Sequence, residues 1–295
     1  MSRPPRRWSR ALDAAGITEA GLRDDYTRQR ALVIGYKPAA ALAVQLLLPR
    51  GLVPHALAAT AYMHRSDNIL EGDGDETLPW PDWERRTRDA LASPGAAGDA
   101  TLRALGRTVR AHPALAGHLD TYLPTATTDR DTTGFATEDD YQRYLDAYSL
   151  PAFMLVAGVL GADRAACRTF IDAGQRLDFV NDLSEDLPRG RLGIPADALA
   201  AHGVTRADLE RRRDTPAVRA LLAAQLDRAA AAMAAARGPL LATTPPAGRR
   251  LVRMLLALDR LTLAAARRGG ASLLSAPASP SKPRVLAALA ACAIA

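Results

Sequence analysis

Between Gln175 and Arg191 the chain carries four acids, Asp178, Asp182, Glu185 and Asp186, interleaved with Leu177, Phe179, Val180 and Leu183. On a helix, residues four apart share a face, so Asp178, Asp182 and Asp186 form a line with Glu185 beside it. Like charges at that spacing repel by roughly 0.2–0.5 kcal/mol per pair. The row therefore needs a compensating cation, and hard carboxylate oxygens suit Mg²⁺. Pro188, Arg189, Gly190 and Arg191 follow directly. Pro and Gly end the helix, and the two guanidiniums suit phosphate. The plain alternative is a solvated acidic face closed by a basic turn.

A second acidic stretch, His64-Arg-Ser-Asp-Asn-Ile-Leu-Glu71, lies at the end of an apolar run from Leu52 to Leu70, with Asp67 and Glu71 at i and i+4. Charged residues are rarely buried without a partner. Two helices that each turn a carboxylate pair into an apolar bundle would hold metal ions between them. Such ions bridge to a diphosphate and help it leave.

Hydrophobic residues make up 48% of the chain and aromatics only 5%, so Ala and Leu must fill the interior. These are the strongest helix formers. No strand-like alternation, Gly-rich nucleotide loop or internal repeat interrupts the helical pattern, and an all-α fold is expected. The net charge of +6 comes almost wholly from Arg, since Lys37 and Lys282 are the only lysines. The arginines are dispersed among acids with no aromatic-basic platform, which argues against nucleic acid. Cys167 and Cys292 are far apart in sequence, a usage expected of a reduced, cytoplasmic protein. The C-terminal apolar run from Val285 is shorter than the roughly 20 residues of a membrane span.

Residues 1–17, Pro/Arg-rich at first, read as a partly disordered segment, 18–275 as one helical domain, and 276–295 as a Pro/Ser linker with a short C-terminal helix. That helix is expected to cover a site, fray, or make peripheral contact with a membrane surface. Gly72 to Glu76 reads as a polar loop, and Thr125 to Gly134, rich in Thr and Asp, as another. Asp163 is expected to cap the central acidic helix and Pro188 to end it. Tyr141, Tyr144 and Tyr148 recur at helical spacing; core packing is the plain reading. Stabilisation of a carbocation by Tyr148 and Phe153 is the alternative.

The Gln175 stretch resembles the Gln-x-x-Asn-x-x-Arg-Asp-x-x-Glu-Asp-x-x-x-Gly-Arg motif of the squalene/phytoene synthases, with Gln175, Asp182, Glu185, Asp186, Gly190 and Arg191 in register. The His64 stretch resembles that family's Arg-x-x-Asp-Asp-x-x-Asp motif through Asp67, Asn68 and Glu71. Leu48-Pro49, Tyr148-x-x-Pro151 and Pro195 also fall in the family's order, so the resemblance runs from about Tyr26 to Arg284. It implies a single-domain isoprenoid-synthase helical bundle with a central apolar active-site cavity, lined in part by the apolar run from Pro151 to Leu160. It further implies that Asp67, Glu71, Asp182, Glu185 and Asp186 hold two or three Mg²⁺ ions with a diphosphate, and that Tyr148 joins the catalytic set. Lys37, His64, Asn68, Gln175, Asp178, Arg189, Arg191 and Phe153 are the implied substrate contacts. The implied reaction ionises an allylic prenyl diphosphate, farnesyl or geranylgeranyl, and condenses two of them head-to-head. NADPH use in a following reduction stays open.

This chain departs from the pattern at four positions besides Glu71. His64 stands at the usual Arg, Asn68 at an Asp, Asp178 at an Asn and Asn181 at an Arg. Ionisation is therefore better supported than the head-to-head step. A terpene cyclase or other prenyltransferase using a single prenyl diphosphate is one alternative, and a non-catalytic helical scaffold is another.

Overall fold

The computed structural model describes residues 6–72, 78–93 and 97–294. Most of the loop from Gly72 to Glu76 lies outside them. The described residues form α1 (Arg6–Ala14), α2 (Ala20–Tyr36), α3 (Pro38–Leu47), α4 (Val53–Glu71), α5 (Trp80–Ala92), α6 (Ala100–Ala111) and α7 (Ala114–Tyr122). There follow α8 (Thr127–Asp131), α9 (Glu138–Tyr144), α10 (Leu150–Ala157), α11 (Arg164–Asn181), α12 (Leu183–Asp186) and α13 (Ala196–Ala201). The last helices are α14 (Arg206–Glu210), α15 (Pro216–Thr243), α16 (Pro246–Gly269) and α17 (Lys282–Ile294). The fold is all-α; the sole ladder contact among the described residues is an isolated bridge between Gly134 and Leu192. No helix of the described residues is long and apolar enough to cross a membrane.

Two compact units result. The first comprises Met1–Thr127, Pro151–Ala162 and Thr244–Leu251. Here α2, α4 and α6 pack on one another. Buried polar atoms are satisfied internally: the Tyr26 hydroxyl donates to the Ala104 carbonyl at 3.0 Å, and Trp83 Nε1 donates to Ser66 Oγ at 2.9 Å. Arg103 forks onto both oxygens of the buried Asp25 at 2.7 Å. The N-terminal segment expected to be loose is helical from Arg6. Its Trp8, Ala11 and Leu12, at helical spacing, are buried, and Trp8 Nε1 donates to Thr27.

The second unit comprises Thr128–Leu150, Asp163–Thr243 and Val252–Ala295. It is built on α11 against α15, where Ala173, Leu177 and Val180 meet Leu222, Leu226 and Ala229. Small alanines let the two backbones approach closely. Asp163 caps α11 as expected, its side chain accepting from the Ala166 amide. Two expectations are corrected. The central acidic helix does not run unbroken to Pro188: α11 stops at Asn181, Asp182 takes a non-helical conformation (φ −96°, ψ 10°), and α12 restarts at Leu183. Leu183 and Leu187 are buried in the same core as Ala173, Leu177 and Val180 of α11. The Thr125–Gly134 stretch is not a plain loop, because it contains α8. Tyr144 leads into a π-turn over Leu145–Ser149, an expected local distortion just ahead of Pro151, which lacks an amide donor.

Candidate functional site

In the first unit, His64, Asp67, Asn68 and Glu71 recur at helical spacing on α4, while Ser66, Ile69 and Leu70 on the other side are buried. Gly72 ends the helix in the left-handed region (φ 70°), its amide donating to the Asn68 carbonyl. The His64 ring stacks on Tyr36 with centroids 3.5 Å apart and planes 11° off parallel. Lys37 Nζ lies 5.7 Å from the centroid of the same Tyr36 ring. Burial, then the nearby Lys37 charge, hold the His64 imidazole below its ordinary value, so it is neutral at pH 7. Burial and the Asp67 carboxylate push the Tyr36 phenol up to about 12. Tyr36, Lys37, His64 and Asp67 thus form one polar cluster, to which sequence reasoning had not assigned Tyr36. Arg65 points elsewhere, to Asp99 at 2.5 Å and over the Trp83 ring. Phe153 belongs to this unit and is half-buried.

In the second unit, the break at Asp182 brings the acids together across a turn. The Asp186 amide donates to the Asp182 carbonyl at 2.9 Å, and the Arg191 amide to the Asp186 carbonyl at 3.0 Å. Gly190 between them adopts φ 78°, a conformation that favours glycine. Burial, then Asp186 and Glu185, push the Asp182 carboxyl up to about 6. Burial also raises Asp186, against the opposing pull of Arg191 and Arg189. Asp178, Glu185 and Arg189 are exposed. Gln175 accepts from Ser149 Oγ at 3.0 Å. Tyr148 packs at the edge of an aromatic cluster of Phe135, Tyr141, Tyr144 and Phe179.

Two residues of this unit escaped the sequence. Asp129, on α8, accepts from Arg191 at 2.8 Å and from the Tyr144 hydroxyl. The backbone makes this pairing: the Leu192 amide donates to Thr133 and the Ala196 amide to Phe135, laying the segment after α8 beside the one after Arg191. Asp259 is the other. It lies half-buried in α16 without an ion pair among the described residues, its Oδ2 4.0 Å from where a Cβ on Gly174 would stand. Burial alone pushes its carboxyl up to about 6. The available signal was a single acid within an Ala/Leu/Arg helix.

The departures take definite positions. Asn181, at the position where the motif has Arg, accepts the Ala278 amide on its Oδ1 at 2.9 Å and donates weakly to Asp182 at 3.4 Å.

Residues 39–285 match the squalene/phytoene synthase family. The chain belongs to this family. Squalene/phytoene synthases are prenyltransferase-type enzymes that condense two prenyl diphosphates head-to-head and use divalent metal with them. A phytoene synthase from Thermus thermophilus is 34% identical over 99 residues; the match spans 32% of this chain and 34% of that enzyme. The squalene synthase HpnC from Alicyclobacillus acidocaldarius is 26% identical, with a TM-score of 0.70 over 89% of this chain and 96% of that one. A dehydrosqualene synthase, solved in complex with a ligand, superposes with a TM-score of 0.81 at 17% identity over 92% of this chain and 96% of that one. The last of these speaks to fold alone.

No group of three or more Asp, Glu, His or Cys is preassembled to hold a metal among the described residues. The donor set nevertheless fits a hard divalent ion. Asp182 and Asp186 are all-oxygen ligands, and burial, with repulsion from Asp186 and Glu185 at the first and from Asp129 and Glu185 at the second, makes both costly to ionise without a cation.

Proposed function

We propose that this chain ionises an allylic prenyl diphosphate and joins two prenyl diphosphates head-to-head. The observation that carries the reading is the acidic turn, in which desolvated Asp182 and Asp186 are followed at once by Arg189 and Arg191. Asp182, Asp186 and Glu185 in one unit, and Asp67 and Glu71 in the other, would hold Mg²⁺, which when bound supplies charge to the departing diphosphate. Arg189 and Arg191 donate to diphosphate oxygens, and the Asp129 carboxylate keeps the Arg191 guanidinium oriented. Lys37 and Asn68 offer further donors, with neutral His64 stacked beside them. Gln175, fixed by Ser149, and Asp178 line the approach along α11. When the allylic C–O bond breaks, the aromatic rings of Tyr148 and Phe153 are suited to face the cation. The double bond of the second prenyl chain then captures it. Prenyl tails are greasy, so peripheral contact with a membrane belongs to the same reading.

A second reading, an enzyme acting on one prenyl diphosphate, is favoured by one feature. Asn181 replaces the motif's Arg, and its amide is engaged by the backbone of Ala278. One experiment separates the two. Purified protein is given Mg²⁺ and farnesyl or geranylgeranyl diphosphate, with and without NADPH, beside an Asp182→Ala control, and products are read by mass spectrometry. A dimeric hydrocarbon or cyclopropyl alcohol diphosphate, absent in the control, is the expected result. A cyclic or hydroxylated product from one prenyl chain would instead support the second reading.

A further inference from the structure

Three helices of the second unit border a groove of about 540 Å³ that the proposed chemistry does not use. Each turns one face to it. Met233, Arg237 and Leu241 recur at i, i+4 and i+8 on α15, and Arg253, Leu256, Arg260 and Leu263 at i, i+3, i+7 and i+10 on α16. Helix α17 closes the third side with Ala288, Ala291 and Cys292. The short side chains of Ala234 and Ala257, facing the same space, leave it open. Its volume lies in the range of small-molecule sites, roughly 300–1,000 Å³.

The lining has two characters. Met233, Leu256 and Leu263 are buried, whereas the three arginines are exposed. No Asp or Glu lines the groove. Other arginines of the same two helices are neutralised: Arg219 and Arg228 of α15 pair with Asp214 and Glu138, and Arg267 of α16 pairs with Asp227. Arg237, Arg253 and Arg260 make no such ion pair among the described residues. Like charges gathered beside apolar walls repel, and an anion held among them removes that cost. The two-residue connection between α15 and α16 sets Arg237 and Arg253 toward one end of the groove, and Arg260 follows roughly 10 Å further along α16. A head group with several oxygens can meet more than one guanidinium there while an attached apolar chain lies against Met233, Leu256 and Leu263. A nucleic-acid strand would match the charges but not the walls, and a second copy of this chain would bring the same positive charges to the contact.

We propose that this groove is a second binding site for a single-chain anionic amphiphile, and that its occupant is a prenyl diphosphate with its phosphates on Arg237, Arg253 and Arg260 and its chain against α15, α16 and α17. None of the lining residues belongs to the acidic turn. The identity of the occupant rests on the proposed function, which makes a prenyl diphosphate the amphiphile this chain handles. The site needs no metal, because guanidiniums supply the positive charge that Mg²⁺ would supply beside carboxylates. A bound chain also ties α17 to α15 and α16, so occupancy orders the C-terminal helix.

The test uses the full chain in chelator, so that no carboxylate site holds metal. Binding of farnesyl diphosphate is read by isothermal titration calorimetry, and its place by hydrogen exchange of α17. Binding with slower exchange across α17 is expected. Pyrophosphate, which lacks the chain, should bind about a hundredfold more weakly. Replacing Arg237, Arg253 and Arg260 together by Gln should weaken farnesyl diphosphate binding about tenfold. Ala234→Trp, at an exposed position, should fill the groove and abolish binding. Both variants should keep the far-ultraviolet circular dichroism of the wild type, since all four residues are exposed. Four results would overturn the proposal: no binding in chelator, pyrophosphate binding as tightly as farnesyl diphosphate, palmitate binding where farnesyl diphosphate does not, or affinity and α17 exchange that neither variant alters. Because nothing is turned over without metal, failure here leaves the proposed reaction standing, and failure to form product with Mg²⁺ leaves the groove standing.

Discussion

Asp259 gives the sharpest test of the electrostatics. Its carboxyl rises from 3.8 to about 6 through burial alone, so folding favours the protonated form. A folded-state value above the unfolded one means stability that is complete below about pH 4 and is lost as pH rises through about 6. The ceiling on that loss, at about 1.4 kcal/mol per pKa unit, is about 3 kcal/mol. The side chain is half-buried, and residual solvent screening brings the expected value to about 1.5 kcal/mol. Asp259→Asn keeps the shape of the protonated acid and cannot ionise. The variant should therefore be more stable than wild type at pH 8, with Tm higher by about 3–6 °C. By pH 5 about half of the wild-type loss has already occurred, so the gap between the two proteins should shrink to about half its pH 8 size. Urea denaturation at pH 5 and pH 8, in chelator, measures this directly. A variant no more stable than wild type at pH 8, or a gap that does not change with pH, would refute the reasoning and mean that the ionised carboxylate has a favourable partner.

Two further predictions concern the second unit. A Cβ added to Gly193 would stand 2.1 Å from Cγ of Phe179, whose ring is held 5.8 Å from Phe135 and 5.9 Å from Tyr144. Gly193→Ala should thus destabilise the fold by about 1–3 kcal/mol in urea denaturation, and Phe179→Leu in the same chain should recover part of it. Arg191→Gln removes a cation that opposes the rise of the Asp186 carboxyl. The acidic limb of its pH–rate profile for kcat/KM should move to higher pH; an unmoved limb would mean that Arg191 does not act on the acids.

The acidic turn was legible because its signal is local: acids four apart among apolar residues, followed by Pro, Gly and Arg. Ala and Leu runs after Pro216 and Pro246 likewise mark α15 and α16, but α15 continues through Gly238 and Pro239 to Thr243, beyond Arg237 where the sequence pattern would end it. The break at Asp182 was not legible, because no Pro or Gly marks it. Leu183 and Leu187 continue the i+3, i+4 spacing of Leu177 and Val180, so the local pattern alone implies an unbroken helix. Asp129 escaped because its partner Arg191 lies 62 residues away and is delivered by backbone pairing of the intervening segments. Helix α1 could have been found. Trp8, Ala11 and Leu12 carry helical spacing that the surrounding Pro and Arg composition obscured.

The departures from the motif have different physical consequences in the two units. At position 64 the motif's Arg would carry charge at every pH, whereas burial, and then the nearby Lys37 charge, hold the His64 imidazole below its ordinary value and favour its neutral form at pH 7. The positive charge of that cluster therefore belongs to Lys37. A cation is thus held at the turn between α2 and α3. Position 181 is different. Asn181 accepts the Ala278 amide through its Oδ1, a bond that the donor-only guanidinium of Arg could not accept. Restoring Arg there would free the backbone of the linker that leads to α17. The substitution at 181 thus exchanges a cation beside Asp182 for an anchor on the C-terminal segment, and it is this exchange, more than the change at 64, that sets the chain apart from the motif it otherwise follows.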